Sequence, residues 1–283
     1  MDKIKIGFLG YGTRALDGLM EHEGFEVEMF LAPVSRLCAD VYDSRNLYPE
    51  LEFAYVKNND EVRDQFIKAK SKGVTCFLMN ACPIILNEKV LDVLPVYNIH
   101  PGDIHYNRGH QPHLWTVLSG DEKSKIVLHS VGVGIDEGDI FAASEMAVDD
   151  TMDAGDVLNR LEDRIPILLD GLYDHLTKGI PPIDSVSGGG YRRVMTHEDY
   201  MFDVSDITKP GFKENVTRKI RARSMNHGAF FIYEGERVYV DRLLYDEPVK
   251  STDAAVSFHG SVTFVEKDGI RYVFNVNKRE KIV

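Results

Sequence analysis

Hydrophobic and polar positions along the chain follow two different grammars, with the change near residue 190. The first opens on Ile4-Lys5-Ile6-Gly7-Phe8-Leu9, a strand, then the tight turn Gly10-Tyr11-Gly12-Thr13 and a helix from Ala15 to Glu21. Val27 to Leu31 reads as the next strand, so the chain begins as a strand-helix-strand unit. A charged helix from about Glu61 to Lys70 leads into Val74-Thr75-Cys76-Phe77-Leu78-Met79, whose unbroken hydrophobicity suits a parallel strand covered on both faces. A short helix near Glu88 to Leu91 and strands Val96 to Ile99, Ile126 to Val131 and Ile140 to Met146 follow. Val157, Leu161, Ile165, Leu169, Leu172 and Leu176 step by threes and fours, which predicts one long amphipathic helix, N-capped by Thr151 and bent at Pro166.

Beyond Ser187-Gly188-Gly189-Gly190, read as a flexible joint that holds nothing by itself, strands are shorter and turns closer together. A helix from about Lys213 to Ser224 precedes strands Ala229 to Tyr233, Arg237 to Leu244, Ser261 to Val265 and Ile270 to Val276, the last two joined at Asp268-Gly269. The expected architecture is therefore a Rossmann-like α/β domain with a mostly parallel sheet over residues 1–190, followed by a small OB-like β-barrel over 191–283.

Composition narrows the class. With 43% hydrophobic and 28% charged residues in 283, disorder and collagen-like repeats are excluded. No apolar run approaches the roughly 18 residues of a membrane span, so no membrane partner is expected, and Met1-Asp2-Lys3-Ile4 reads as a strand beginning rather than a signal peptide. Cys38, Cys76 and Cys82 cannot all pair and lack metal-type spacing, which predicts reduced thiols in a cytoplasmic protein. The net charge of -12 arises from 33 basic and 45 acidic residues. From Tyr200 onward there are 14 basic and 12 acidic residues, against 19 and 33 before it. Such a balance weighs against a nucleic-acid partner and leaves a local basic path open.

Three segments are candidates for chemistry. Gly10-Tyr11-Gly12-Thr13-Arg14-Ala15 lies between strand and helix as a dinucleotide fingerprint does, but Ala15 replaces the third glycine and Phe30-Leu31-Ala32-Pro33 lacks the ribose-binding acid. The alternative is a tight turn that uses glycine for its backbone freedom. His100, His105, His110 and His113 are separated by Pro101, Gly102, Gly109 and Pro112, so no helix face presents them together and no metal is expected. Asn98 and His100 are two apart at the carboxyl end of a buried strand and share a face. An amide donor beside an imidazole suits acyl-group chemistry, where one steadies an oxyanion and the other manages a proton. The loop Gly134-Ile135-Asp136-Glu137-Gly138-Asp139-Ile140 offers three carboxylates as the acid partner.

Asn98-Ile99-His100-Pro101, Arg108-Gly109, Pro112, Trp115, Gly120-Asp121, Leu128-His129 and Ile135-Asp136-Glu137-Gly138-Asp139-Ile140, in that order, closely resemble the core of folate-dependent N-formyltransferases. That family includes the glycinamide ribonucleotide, methionyl-tRNA and amino-sugar enzymes. Ile220-Arg221-Ala222, Gly228-Ala229-Phe230 and Gly260-Ser261-Val262 resemble the barrel appended to some members. The resemblance implies Asn98, His100 and Asp136 as the catalytic trio, with Glu137 and Asp139 as loop or surface carboxylates. It implies 10-formyltetrahydrofolate as co-substrate, held by Ile84, Ile85 and Leu86 in the segment Pro83 to Asn87 and by Val133, Gly134, Ile135 and Asp139. Tyr11, Gly12, Thr13, His105, Arg108, Gly109 and His110 are expected to face the acceptor.

The departures, Gly102-Asp103-Ile104-His105 after His-Pro and Ser124-Lys125 before the next strand, read as altered acceptor recognition. A tRNA acceptor needs basic contacts, yet Pro33 to Glu50 carries Arg36 and Arg45 against Asp40, Asp43 and Glu50. Arg218, Lys219, Arg221 and Arg223 form the best basic cluster, read as a solvated helix side. The expected acceptor is thus a small amine, foremost a nucleotide-linked amino sugar. Methionyl-tRNA formyltransferase and formyltetrahydrofolate hydrolase are the alternatives, and a homodimer is left open.

Overall fold

The computed structural model describes residues 3–34 and 39–282; Cys38 and Arg36 lie outside the described residues. The first strands and helices are β1 (Ile4–Gly10), α1 (Thr13–Glu21), β2 (Phe25–Pro33), α2 (Ala39–Leu47), β3 (Glu52–Val56), α3 (Asn59–Ser71), β4 (Cys76–Asn80), α4 (Glu88–Leu91) and β5 (Val96–His100). After them come β6 (Arg108–Gly109), α5 (Pro112–Ser119), β7 (Lys123–Ser130), β8 (Gly138–Ala147), α6 (Ala154–Glu162), α7 (Ile165–Lys178), β9 (Asp184–Val186) and β10 (Tyr191–Arg192). The remainder is α8 (His197–Tyr200), α9 (Phe212–Ala222), β11 (Ala229–Tyr233), β12 (Glu236–Pro248), β13 (Ala255–His259), β14 (Val262–Lys267) and β15 (Ile270–Lys281).

Eight strands form one sheet in the order β3-β2-β1-β4-β5-β7-β8-β9. The five from β3 to β5 run parallel, and β7 pairs antiparallel to β5. The inner parallel strands β1, β4 and β5 are buried on both faces, as their continuous apolar runs require, while β3 is a partly buried edge. On one face Leu9, Leu31, Phe77 and Val96 meet Val62, Phe66 and Ala69 of α3. Phe66 and Phe77 stack with ring centroids 3.9 Å apart, and Gly7 leaves the space that the Phe77 ring fills. Helix α3 is fixed at its start by Asn58, whose side chain accepts the Glu61 N–H.

A second, five-stranded antiparallel sheet has the order β11-β12-β15-β14-β13. Two-residue turns with both residues at positive φ, Glu234-Gly235 and Asp268-Gly269, close two of its hairpins. It is an α/β chain with a curled half-barrel at its end: β11 and β13 are opposite edges of the sheet, yet Tyr233 and Phe258 bring their rings within 5.7 Å. Phe212, Val216 and Ile220 of α9 fill the concave side against Phe231, Val240 and Phe274.

Several sequence expectations need correction. The long helix is two helices, because Pro166 has no N–H and its ring conflicts with the carbonyl of Glu162, so α6 stops there and α7 restarts with the proline in its first turn. Asp153, not Thr151, caps α6: Asp153 Oδ1 accepts the Asp156 N–H while Asp156 Oδ2 accepts the Asp153 N–H. The glycine run is not a loose joint. Gly190 N–H bonds the His105 carbonyl at 3.0 Å, Arg108 N–H bonds the Gly190 carbonyl at 3.0 Å, and a Cβ on Gly190 would stand 2.5 Å from the Tyr106 carbonyl oxygen.

The chain forms two compact units that differ from a division at 190. One comprises the residues up to Gly109, Lys125–Met146 and Asn159–Arg192; the other comprises His110–Ser124, Ala147–Leu158 and the residues from Arg193 onward. Within the second, α5 packs on α9, and Gly120 makes room for the Arg218 guanidinium. No helix among the described residues is long and apolar enough to cross a membrane.

Candidate active site

The site is built on the antiparallel pair β5 and β7. Asn98 is directly opposite His129 in the ladder, so both side chains leave the sheet on the same face, and His100 follows two residues on. Ile99 and Leu128, also opposite one another, turn into the core. Asn98, His100 and His129 are all buried, in a sheet whose other residues there are apolar.

His129 fixes the polarity of the cluster. Its Nδ1 lies 2.8 Å from the Ser130 carbonyl and therefore carries the proton, leaving Nε2 as an acceptor 3.1 Å from Asn98 Nδ2. Burial pushes the His129 pKa down to about 4, with the neighbouring His100 adding to the effect and Asp136 opposing it. Asn98 Nδ2 also donates to Asp136 Oδ1 at 3.4 Å. With acceptors on both sides, the Asn98 amide can point only its NH₂ group at this space.

Asp136 is the hub. Its Oδ2 accepts the Gly109 N–H at 2.8 Å and lies 3.5 Å from His100 Nδ1. His100 Nε2 donates to the Asn107 carbonyl at 2.9 Å, and the Asn107 side chain accepts from Arg192 Nε at 2.9 Å. With Nε2 committed, Nδ1 is the nitrogen through which His100 exchanges a proton toward Asp136.

The structure thus brings together Asn98, His100, Asp136 and the Gly109 amide. It also brings Ile85, Leu86 and Val133 to one open cavity of about 400 Å³, shared with Asn87, Glu88 and Lys89. The Asn59 side chain holds this segment, donating to the Ile85 carbonyl and accepting the Asn87 N–H, each at 3.0 Å. Ile84 and Leu86 pack toward the core, while Ile85 and Val133 are about 60% exposed and present apolar surface. Ile135 is half-exposed beside Asp136, Gly134 lies beneath the Glu137 side chain, and Asp139 N–H bonds Ser130 Oγ at 2.9 Å.

Other candidate residues make local contacts. Tyr11 gives its hydroxyl proton to the Pro33 carbonyl. A Cβ on Gly12 would overlap Asn80, whose Nδ2 bonds the Ile99 carbonyl at 2.8 Å, so the glycine turn admits the end of β4. A Gly12→Val protein therefore tests packing, not nucleotide binding. Thr13 opens α1. His105 pairs with Asp184 at 2.9 Å, and His110 is exposed in the second unit. Glu137, expected on the surface, is instead paired with the buried Arg108. His129 carries no role in the sequence reading, because its place opposite Asn98 depends on the register between β5 and β7. Cys76 is buried, which pushes its thiol up to about 12 and leaves it inert.

Residues 42–169 match the formyl transferase family model. This stretch is similar in sequence to formyl transferases. Over 178 residues the chain is 29% identical to the methionyl-tRNA formyltransferase of Bifidobacterium animalis, a match that covers 60% of this chain and 53% of that protein. The chain spans about half the length of the first curated relatives it matches. Among solved structures, a sugar N-formyltransferase from a Shewanella species shares the fold with TM-score 0.65 at 16% identity, over 84% of this chain and 96% of that one. WlaRD, a sugar 3N-formyl transferase solved in the presence of dTDP and 5-N-formyl-THF, shares it with TM-score 0.65 at 14% identity, over 98% and 100%. The matched span contains Asn98, His100, His129 and Asp136 together.

One consequence is measurable by titration. His129 binds its proton more weakly folded than unfolded, so its contribution to stability is whole above its ordinary value of 6.5 and is lost as pH falls toward about 4. Urea unfolding of His129→Gln should lose that part of the pH dependence between 6.5 and 4; a slope equal to wild type there would show that His129 titrates normally.

Proposed function

We propose that this protein is an N-formyltransferase that uses 10-formyltetrahydrofolate to formylate the primary amine of a nucleotide-linked amino sugar. The observation that carries the reading is the buried Asn98-His129-Asp136-His100 cluster, in which an amide donor and a proton-handling pair share one face of the sheet. The cavity at Ile85, Leu86 and Val133 fits the co-substrate: its exposed apolar side chains suit a flat ring system, and its backbone can supply polar contacts.

When bound, 10-formyltetrahydrofolate supplies an electrophilic formyl carbon. Asn98 Nδ2 donates to the formyl oxygen as negative charge builds there, exchanging its long 3.4 Å contact with Asp136 for a shorter, charge-assisted one. His129, kept neutral by burial, holds the amide so that its donors stay aimed. The amine would attack as the free base and shed a proton to Asp136, directly or through His100 Nδ1; as the bond from the formyl carbon to the folate N10 breaks, that proton would pass to N10, so tetrahydrofolate leaves neutral at that nitrogen. None of these steps asks for a covalent enzyme intermediate.

The second unit's basic cluster bears on the acceptor. Lys219 donates to the Asp199 and Met201 carbonyls at 2.8 and 2.9 Å, Arg221 binds Asp150, and Arg223 lies 4.2 Å over the Tyr200 ring. Cations so engaged leave little for a phosphate backbone, which favours a small acceptor over tRNA. The deciding experiment incubates the protein and 10-formyltetrahydrofolate with nucleotide-linked amino sugars, hydroxylated ornithine or methionyl-tRNA, and reads the mass gain of one formyl group. A formylated amino sugar is the expected product. Formylated methionyl-tRNA would favour the tRNA enzyme, formate release without an amine would favour a hydrolase, and no turnover would sink the reading.

A further inference from the structure

Asp136 has a φ of 48°, in the left-handed region that a residue with a Cβ enters only when its surroundings hold it there. Two consecutive residues of β6 supply that hold by gripping two consecutive residues of the loop. Gly109 N–H binds Asp136 Oδ2 at 2.8 Å, and the Arg108 guanidinium binds the Glu137 carboxylate.

Arg108 is built into the protein: it is 8% exposed, its backbone N–H bonds the Gly190 carbonyl, and its Nη2 reaches the Gly189 carbonyl at 3.5 Å. Its Nε is buried without a hydrogen-bond partner, so Glu137 is the counter-charge that makes this guanidinium tolerable. The loop accommodates the pair through Gly134, where a Cβ would stand 2.5 Å from Glu137 Oε2; any side chain there would displace the carboxylate.

We propose that Arg108 and Glu137 form a positioning clamp that holds the 134–138 loop in the conformation that directs Asp136 at His100 and Asn98. Neither residue acts on the formyl group. Glu137 is a positioning residue for the transfer proposed above, on which the kinetic part of this inference rests. Without Glu137, Arg108 keeps a buried charge with no counter-ion, and the cost is relieved by moving the loop or admitting water.

The test compares wild type, Glu137→Ala and Glu137→Gln. One readout needs no substrate: amide hydrogen exchange at Gly109, whose N–H is the reporter on Asp136, with β4 and β5 amides as the control for intact folding. The other is kcat and KM for the acceptor found by the amine screen. Glu137→Ala should speed Gly109 exchange by about tenfold or more while the strand amides stay protected. It should lower kcat by about 10- to 100-fold with KM within about twofold, since a misplaced group loses rate rather than binding. Glu137→Gln, whose amide oxygen still accepts from Arg108 but carries no counter-charge, should fall between Glu137→Ala and wild type in both Gly109 protection and kcat. Unchanged Gly109 exchange in Glu137→Ala overturns the clamp whatever the activity, and faster exchange with unchanged kcat overturns its part in positioning Asp136. A wild-type protein that transfers no formyl group, with Gly109 released in Glu137→Ala, would sink the functional reading and leave the clamp standing.

Discussion

Asn98→Ala is expected to lower kcat by about 10²- to 10³-fold, the usual cost of removing one well-aimed donor from a developing oxyanion. Asn98 is the residue whose donors the cluster is arranged to aim: His129 Nε2 and Asp136 Oδ1 are both acceptors, and they leave the amide one orientation. The substitution also strands those two acceptors, a loss of about 1–3 kcal/mol of stability, so the protein must first be shown to be folded by circular dichroism. Steady-state kinetics with 10-formyltetrahydrofolate and the identified amine then decide. A folded Asn98→Ala protein with near-wild-type kcat would remove Asn98 from the mechanism. Asn98→Asp should be no better, because a third carboxylate oxygen would face the same acceptors with nothing to donate.

The largest effect on stability is expected from Phe77→Ala, at about 3–5 kcal/mol by chemical denaturation. Phe77 is fully buried, stacks on Phe66 and fills the space left by Gly7. A cavity there cannot collapse easily, because its walls are the β1 and β4 backbones and the face of α3. The same strand ends in Asn80, which bonds the Ile99 carbonyl between Asn98 and His100. Activity should therefore fall well before global unfolding as denaturant is added to Phe77→Ala. A loss below about 1 kcal/mol would mean that α3 and β4 pack less tightly than their rings indicate.

The parallel half of the large sheet was legible because strands buried on both faces read as apolar runs: β1, β2, β4 and β5 lie within a few residues of expectation. The elements that escaped lack that signature. Strand β3 is a partly buried edge, β6 and β10 are two residues each, and α5 begins at Pro112 inside a segment dominated by histidine and glycine. Strand β13, with alternate residues exposed, is short and flanked by polar turns. Asn98 and His100 announced themselves by sharing a strand face. His129 needed the register of β7, and the Arg108-Glu137 pair joins residues 29 apart through a turn that no periodicity encodes. The reason for a glycine is hard to read from sequence. Gly12 and Gly190 mark close approaches of backbone, where an isolated sequence suggests a ligand or a hinge.

The route of the chain bears on how this protein can be dissected. It passes between its two compact units at 109/110, 124/125, 146/147, 158/159 and 192/193. A cut at residue 190 would thus keep α5 while discarding α9, on which α5 rests. A chain shortened there by truncation or frameshift should lose solubility before it reveals anything about catalysis.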